Sequence, residues 1–181
     1  YQCRQCGKTF SDIHPLDGIR IDPSKVVQII SFLCEGLGIR ACARLTGCHI
    51  ETILSVLNTV GAKCESFLDR HIRDVQVGSV QLDELWTRVG CKQGKAGDDP
   101  ERGDIYTFLA IEARTKLIIS HRTGKRDYAN TDAFVGDLAK RITGRVQITA
   151  DGWVPYVDTV RKHLLERLDF AVMQKIYGKE E

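Results

Sequence analysis

The spacing of apolar residues changes near residue 76 of the chain. Before it, apolar side chains recur every three or four positions, which is typical of amphipathic helices. After it, alternation and short apolar runs indicate strands, with two stretches of helical spacing among them. The predicted strands cover 77–89, 105–113, 116–122, 146–150 and 170–177, and the predicted helices cover 130–142 and 157–168. This order favours an α/β fold, a three-stranded meander followed by parallel strands with crossover helices.

The first part of the chain is predicted to contain three helices, which begin near residues 23, 39 and 50. We expect Ile53, Leu54 and Leu57 to be buried and to hold the third helix against the other two. A turn that contains Gly47 joins the second helix to the third. This arrangement is typical of a helix-turn-helix module, which places a helix in the major groove of DNA.

Hydrogen-bonding side chains cover the outer face of the third helix and the turn before it, as in proteins that read base edges. The candidate base contacts are His49, Glu51, Thr52, Ser55 and Asn58. Arg40, Arg44 and Lys63 are candidates for contacts to phosphates. The alternative is a plain three-helix packing unit with a solvated outer face, because nearby acidic residues almost balance the basic ones.

Composition narrows the class of protein without assigning a function. Of the 181 residues, 43% are hydrophobic and 28% are charged, as in an ordinary globular protein. The net charge is only +2, so any interaction with nucleic acid has to come from local patches. No run approaches the ~18 apolar residues of a membrane span. No secretory signal precedes the seven scattered cysteines, so we expect a cytoplasmic protein with reduced thiols.

Cys3 and Cys6 have the spacing of two ligands in a zinc knuckle, with Gly7 to relieve the backbone of the turn. Structural zinc takes four ligands, and no histidine pair follows at finger spacing, although His14 is a further candidate. We therefore predict half of a zinc ribbon, whose other cysteine pair would precede Tyr1. The alternative is a pair of free thiols.

Two aspartates are candidate metal ligands: one lies inside a predicted strand and the other at the end of a predicted strand. Asp83 lies inside an apolar strand, where a buried charge needs a partner or a metal ion. Asp151 closes the strand over 146–150. In a sheet where a crossover follows a meander, this strand packs beside the first strand. We therefore expect Asp83 and Asp151 to face each other and to hold Mg²⁺ or Mn²⁺ for phosphodiester chemistry.

Each aspartate also has a structural interpretation. Asp151 and Gly152 form a common turn pair that can simply end a strand. Asp83 can pair with a buried arginine or lysine. Glu84 points to the opposite face of a regular strand and therefore ranks below Asp83 as a candidate ligand.

A basic segment runs from Ala113 to Arg126, with five basic residues and no acidic one. Arg122, Lys125 and Arg126 are the candidates to follow a DNA backbone. An equally open alternative is a solvated edge strand, whose charges prevent aggregation.

The residues around both aspartates, in this order along the chain, resemble the bacterial transposases of insertion-sequence-one-type elements. The matching residues are Leu82–Trp86, Thr149–Trp153, Tyr156 and His163, with further likeness at Tyr1–Phe10, Ile39–Leu57 and Phe170–Gly178. The resemblance implies a ribonuclease-H-like DDE domain that cleaves element ends with Mg²⁺ and transfers the strands into target DNA.

In this family the first and second catalytic aspartates match Asp83 and Asp151. The third member is a glutamate on a helix beyond the last strand. Glu180 and Glu181 lie in no motif and are not assigned to that role. We therefore expect a fragment that lacks both termini and whose own activity is in doubt.

Three regions are expected: a partial zinc-ribbon knuckle and linker over 1–22, a helix-turn-helix module over 23–75, and a ribonuclease-H-like catalytic domain over 76–181. The expected partners are double-stranded DNA, both element ends and target, and further copies of the chain in a homo-oligomer at the bacterial nucleoid, with no membrane contact. Two other functions stay open: a ribonuclease-H-like nuclease without strand transfer, and a helix-turn-helix transcriptional regulator with an α/β sensing domain.

Overall fold

The computed structural model describes residues 2–9, 16 and 18–173. The chain divides into two compact units, which we call the helical unit (residues 1–71) and the α/β unit (residues 72–181). Among the described residues, no helix is both long and apolar enough to cross a lipid bilayer.

The helical unit contains α1 (Pro23–Cys34), α2 (Ile39–Thr46) and α3 (Ile50–His71), which begin where the sequence predicts three helices. Asp22 caps α1, because its side chain accepts a hydrogen bond from the backbone nitrogen of Ser24 at 2.8 Å. Gly47 ends α2 with a φ of +69°, a left-handed conformation that glycine adopts at low cost. The chain therefore turns within three residues before α3 begins.

Five buried side chains form the core of the helical unit. They are Val26, Ile29, Cys42, Ile53 and Val56. The prediction that Leu54 and Leu57 are buried is wrong, since they are 38% and 39% exposed. Each residue advances about 100° around a helix. With Ile53 and Val56 facing the other helices, Leu54 and Leu57 fall on the flank of α3.

The α/β unit consists of short, well-defined elements. These are β1 (Val75–Gln76), β2 (Ser79–Val89), β3 (Gly103–Glu112), β4 (Ile118–Gly124), α4 (Tyr128–Arg141), β5 (Ile142–Thr143), β6 (Val146–Ala150), α5 (Val154–Leu164) and β7 (Leu168–Val172). Five strands form one mixed sheet in the order β4-β3-β2-β6-β7, while β1 and β5 pair in parallel with each other. Residues 174–177 of the strand predicted over 170–177 lie outside the described residues.

The strand directions confirm the predicted meander followed by parallel strands. β2, β3 and β4 pair antiparallel, whereas β6 is parallel to both β2 and β7. β6 packs beside β2, the first strand of the meander, as expected. This mixed α/β arrangement is compatible with a ribonuclease-H-like fold.

One face of the sheet packs under helices and carries the core. Buried residues of this covered face include Val80 and Leu82 of β2, and Phe108 of β3 lies 5.6 Å from the ring of Phe134 in α4. On β2 the intervening residues, including Asp83, are exposed. We call their side of the sheet the open face. Strand alternation therefore separates neighbouring residues of β2 onto two chemically different surfaces.

Candidate active site

Two neighbouring strands bring aspartates to the same level of the sheet. In the parallel register of β2 and β6, Gln81 pairs with Thr149. Asp83 and Asp151 each lie two residues beyond this pair, where β6 has just ended. The register of β2 and β6 thus brings the backbones of the two residues to the same level of the sheet.

The side chain of Asp83 contacts its own neighbour. Its Oδ1 accepts a hydrogen bond from the backbone nitrogen of Glu84 at 2.9 Å. Over residues 2–9, 16 and 18–173, no hydrogen bond or ion pair joins Asp83 to Asp151. In the same part of the chain, no three Cys, His, Asp or Glu side chains cluster as ligands for a metal ion. A cation shared by the two aspartates therefore stays a prediction.

Glu84 lies on the covered face and is held on both carboxylate oxygens. Its side chain is only 5% exposed. Oη of Tyr156 donates to Oε1 at 2.6 Å, and Nη2 of Arg126 donates to Oε2 at 3.1 Å. Burial raises the pKa of Glu84, although the hydrogen bond from Tyr156 and the charge of Arg126 oppose this shift. Burial and the bond to Glu84 also raise the pKa of the Tyr156 hydroxyl, which stays protonated and donates.

Asp151 is fixed in a turn directly after β6. Its Oδ1 accepts a hydrogen bond from the backbone nitrogen of Trp153 at 2.9 Å, which is the hydrogen bond of an Asx-turn. Its Oδ2 accepts a hydrogen bond from Nη2 of Arg126, also at 2.9 Å. The structural interpretation of Asp151 as a turn residue is confirmed. That same turn orients its carboxylate beside Glu84 and Arg126.

Arg126 links the two acids, because the same nitrogen, Nη2, contacts Glu84 and Asp151. Its guanidinium stacks on the indole of Trp153, with Cζ 4.3 Å from the ring centroid, and lies 5.9 Å from the ring of Tyr106. Nε of Arg126 is buried and finds no hydrogen-bond partner among the described residues. The arginine is therefore positioned by its two acids and two rings rather than by a full set of hydrogen bonds.

Glu84, Tyr156 and Arg126 form a cluster that the sequence patterns do not predict, and Arg126 is expected from them only as a candidate contact to DNA. The alternative in which an acid of β2 pairs with a cation holds for Glu84, whose partner is the half-buried Arg126, rather than for Asp83. A usable signal was available: Glu84 continues the buried series of Val80 and Leu82, so it needs a partner on the covered side.

The other basic candidates near the sheet edge have local partners. β4 is an edge strand, and Nε of Arg122 donates to Oδ1 of Asn130 at 3.0 Å. Nζ of Lys125 donates to Oε1 of Gln93 at 3.1 Å and to the backbone oxygen of Asp104 at 3.2 Å. Lys125 thus holds the loop before β3 in place, whatever else it contacts.

The residues predicted to contact DNA in the helical unit lie at its surface. Arg40, Arg44, His49, Glu51, Ser55, Asn58 and Lys63 are exposed, and Thr52 is half-buried. Nδ1 of His49 and Oε2 of Glu51 are 3.9 Å apart. Their exposure leaves them available to a partner, and their contact with DNA stays a prediction.

Cys3 and Cys6 lie on a tight turn. The backbone nitrogen of Cys3 donates to the oxygen of Lys8 at 2.8 Å, and that of Gly7 donates to the oxygen of Cys3 at 2.9 Å. A hydrogen bond from the backbone N–H of Cys6 lowers the pKa of the Cys3 thiol. His14 lies outside the described residues. A zinc site at this turn stays a prediction.

No protein-family model matches the sequence, and no curated protein matches it. Among solved structures, the chain is similar to a piggyBac transposase in a synaptic complex with hairpin DNA, with a TM-score of 0.47 and 11% sequence identity. The match covers 82% of this chain and 40% of the piggyBac transposase chain. This chain therefore spans less than half the length of that transposase. A likeness at this level carries no argument about function.

Proposed function

We propose that this chain belongs to a DDE transposase of the insertion-sequence-one type, with Asp83 and Asp151 as two of its catalytic residues. The observation that carries the proposal is the parallel pairing of β2 with β6, which sets the two aspartates level on neighbouring strands. The resemblance of the sequence around both residues to that family points to the same pair. Glu180 and Glu181 lie outside the described residues, and the third acid is left unassigned.

Mg²⁺ or Mn²⁺ fits the donor set, which consists of carboxylate oxygens on Asp83 and Asp151. The guanidinium of Arg126 already lies between Glu84 and Asp151, which shows that these carboxylates accept a positive charge at this point of the sheet. When bound, the ion supplies positive charge that stabilises the attacking and leaving oxygens of a phosphodiester. The Asx-turn after β6 keeps the carboxylate of Asp151 oriented for this contact.

Double-stranded DNA is the proposed substrate, both as element ends and as target. In the helical unit, α3 and the turn before it would read base edges through His49, Glu51, Thr52, Ser55 and Asn58. Phosphates would be held by Arg40, Arg44 and Lys63, and at the sheet edge by Arg122, Lys125 and Arg126. Strand transfer joins two DNA molecules, so the proposed active form is a homo-oligomer at the bacterial nucleoid.

Cys3 and Cys6 are proposed as half of a zinc-ribbon site. The support is the tight turn that holds both sulfurs and the lowered pKa of the Cys3 thiol, because zinc binds the thiolate form. Two further ligands would have to complete the site.

A strand-joining assay tests the proposed function. The purified chain is incubated with a labelled duplex from the DNA that flanks its coding sequence, a supercoiled plasmid and Mg²⁺ or Mn²⁺. Labelled plasmid that forms with the wild-type chain but not with Asp83→Asn or Asp151→Asn supports the proposal. Asp169→Asn is the matched control, because it removes an exposed aspartate from a salt bridge with Arg145 in the same sheet.

The products separate transposition from the two alternatives. Cut DNA without joined products would favour a nuclease. DNA binding with no dependence on divalent cations and no cut product would favour a regulator. Joined products that persist in both aspartate variants would contradict the assignment of Asp83 and Asp151.

A further inference from the structure

The guanidinium of Arg126 occupies the position of a bridging cation. Its Nη2 lies 3.1 Å from Oε2 of Glu84 and 2.9 Å from Oδ2 of Asp151. These oxygens come from neighbouring parts of the sheet, one from β2 and one from the turn that follows β6. A positive charge at this point offsets the repulsion of two carboxylates, as a metal ion would.

Contacts on several sides hold the guanidinium there. Trp153 stacks on it at 4.3 Å, and the indole is itself fixed, because its Nε1 donates to Oγ1 of Thr131 at 3.1 Å. Glu84 is anchored by Tyr156, which is fully buried. Nε of Arg126 is buried and has no hydrogen-bond partner in the described part of the chain, which is energetically unfavourable. The position of the guanidinium is therefore determined by its two carboxylate partners and by Trp153, not by the hydrogen bonding of Nε.

We propose that Arg126 is a tethered counter-ion that competes with the divalent cation for Asp151. This inference rests on the proposed function, since it takes Asp151 as a metal ligand. In the metal-free chain the guanidinium neutralises Asp151. When the cation binds, Arg126 gives up Oδ2 of Asp151 and keeps its contact with Glu84.

The surroundings of Arg126 allow this exchange. Oε2 of Glu84 also accepts a hydrogen bond from Nη2, so release from Asp151 leaves the guanidinium paired with one carboxylate. Arg126 also lines an open cleft of about 590 Å³, together with Tyr106 and Trp153. The cleft gives the side chain room to withdraw from Asp151 without repacking the core.

Calorimetric titration with Mn²⁺ tests the inference on the full chain. Removing the competing charge in Arg126→Gln should lower the dissociation constant for Mn²⁺ about tenfold, the size expected for losing one hydrogen bond to a charged group. Arg126→Lys keeps the charge and should change the dissociation constant less than Arg126→Gln does. Arg145→Gln is the matched control, because it removes an arginine paired with Asp169 at the other edge of the sheet, and should leave Mn²⁺ affinity unchanged.

The shift in Tm caused by Mn²⁺ is a second measurement, which can be made even if Arg126→Gln is less stable than the wild-type chain. The rise in Tm caused by Mn²⁺ should be larger in Arg126→Gln than in the wild-type chain, even when the variant starts from a lower Tm. If Arg126→Gln does not fold, Arg126→Met takes its place, because its apolar side chain can still pack on Trp153.

The outcomes separate this inference from the proposed function. Equal or weaker Mn²⁺ affinity in Arg126→Gln overturns the competition, and the proposed function stands if Asp151→Asn still abolishes Mn²⁺ binding. Mn²⁺ binding that is insensitive to Asp151→Asn overturns both. Tighter binding in Arg126→Gln that is lost in the double variant with Asp151→Asn supports both.

Discussion

The helical unit and the α/β unit bury different kinds of side chain. In the α/β unit, sixteen buried residues form the core, and the acid Glu84 lies beside it with only 5% of its side chain exposed. The helical unit has a core of five apolar residues, and none of its described charged residues is buried. Burying a charge is costly unless it is paired, so a buried acid marks a place where geometry matters.

The two units therefore present different kinds of polar groups. The α/β unit fixes acids and a cation relative to one another, which is what chemistry at a defined position needs. The helical unit leaves its polar and basic side chains at the surface, and residues 61–67 of α3 are all exposed. Such a surface is suited to a partner rather than to catalysis.

The largest expected effect comes from the core of the α/β unit. Phe108→Ala should lower the free energy of unfolding by about 4 kcal/mol, because it leaves a cavity beside Phe134. Both tryptophans of the chain lie in this unit, so their fluorescence during denaturation with urea reports on it. Leu109→Ala, on the opposite face of the same strand, is the control and should cost clearly less. Equal losses would mean that the two faces of β3 are not distinguished as the structure describes.

The smaller core of the helical unit should respond in the same way, with a sharp difference between neighbouring residues. Ile53→Ala should cost about 3 kcal/mol, since Ile53 is fully buried. Leu54→Ala should cost about 1 kcal/mol, because this leucine already contacts water. Circular dichroism during chemical denaturation measures both variants. If Leu54→Ala lowers the free energy of unfolding as much as Ile53→Ala does, Leu54 is buried, as the sequence predicted and contrary to the structure.

Removal of one hydroxyl tests whether the buried acid depends on its partners. Tyr156→Phe should cost about 2 kcal/mol, because Glu84 loses a hydrogen bond of 2.6 Å in a buried position. The loss should be smaller in a Glu84→Gln background, where no charge needs the hydroxyl. A double-mutant cycle with urea denaturation gives this coupling. Additive effects of the two substitutions would show that Tyr156 does not stabilise the charged form of Glu84.

The smallest expected effect is the change in Tm when a half-buried ion pair, Asp137 with Arg141, is compared with an exposed one, Asp169 with Arg145. Burial works against the charge of Asp137, but hydrogen bonds from Arg141 and Ser120, both at 2.6 Å, outweigh it and lower its pKa. The folded state therefore binds fewer protons at Asp137 than the unfolded state. The stabilisation is complete above the unfolded pKa and is lost as the pH falls through the folded pKa.

Asp137→Asn should accordingly lower Tm at pH 7, and the difference from wild type should shrink as the pH falls below about 4. Asp169→Asn is the control: its pKa is also lowered, by Arg145, but both side chains are exposed and solvent screens the pair. Its Tm should match that of the wild type within error at every pH. A larger pH-dependent effect for Asp169→Asn than for Asp137→Asn would reverse the ranking of the two ion pairs.

Much of the fold follows from local patterns in the sequence. The helix starts near residues 23, 39 and 50 and the strand over 146–150 follow from apolar spacing and turn residues, which act over a few positions. The placement of β6 beside β2 follows from the general rules for crossover connections. Burial within α3 did not follow, because Ile53, Leu54 and Leu57 are equally apolar and only the packing of the other helices selects among them.

The candidate site follows from the sequence only in part. Period two places Asp83 and Glu84 on opposite faces, but it does not say which face the helices cover. That depends on where α5 places Tyr156 and where the segment after β4 places Arg126, both distant from β2 along the chain. Asp151 was accessible to sequence reasoning because a strand end and a turn pair are local features.

The central claim is that Asp83 and Asp151 hold the same divalent cation. Calorimetric titration of Mn²⁺ into the wild-type chain, Asp83→Asn, Asp151→Asn and the double variant tests it directly, since ligands of one ion do not contribute independently. We predict that each single substitution weakens binding at least about tenfold, and that the double variant is little weaker than either single one. Strictly additive losses, or undiminished binding in either single variant, would contradict the claim.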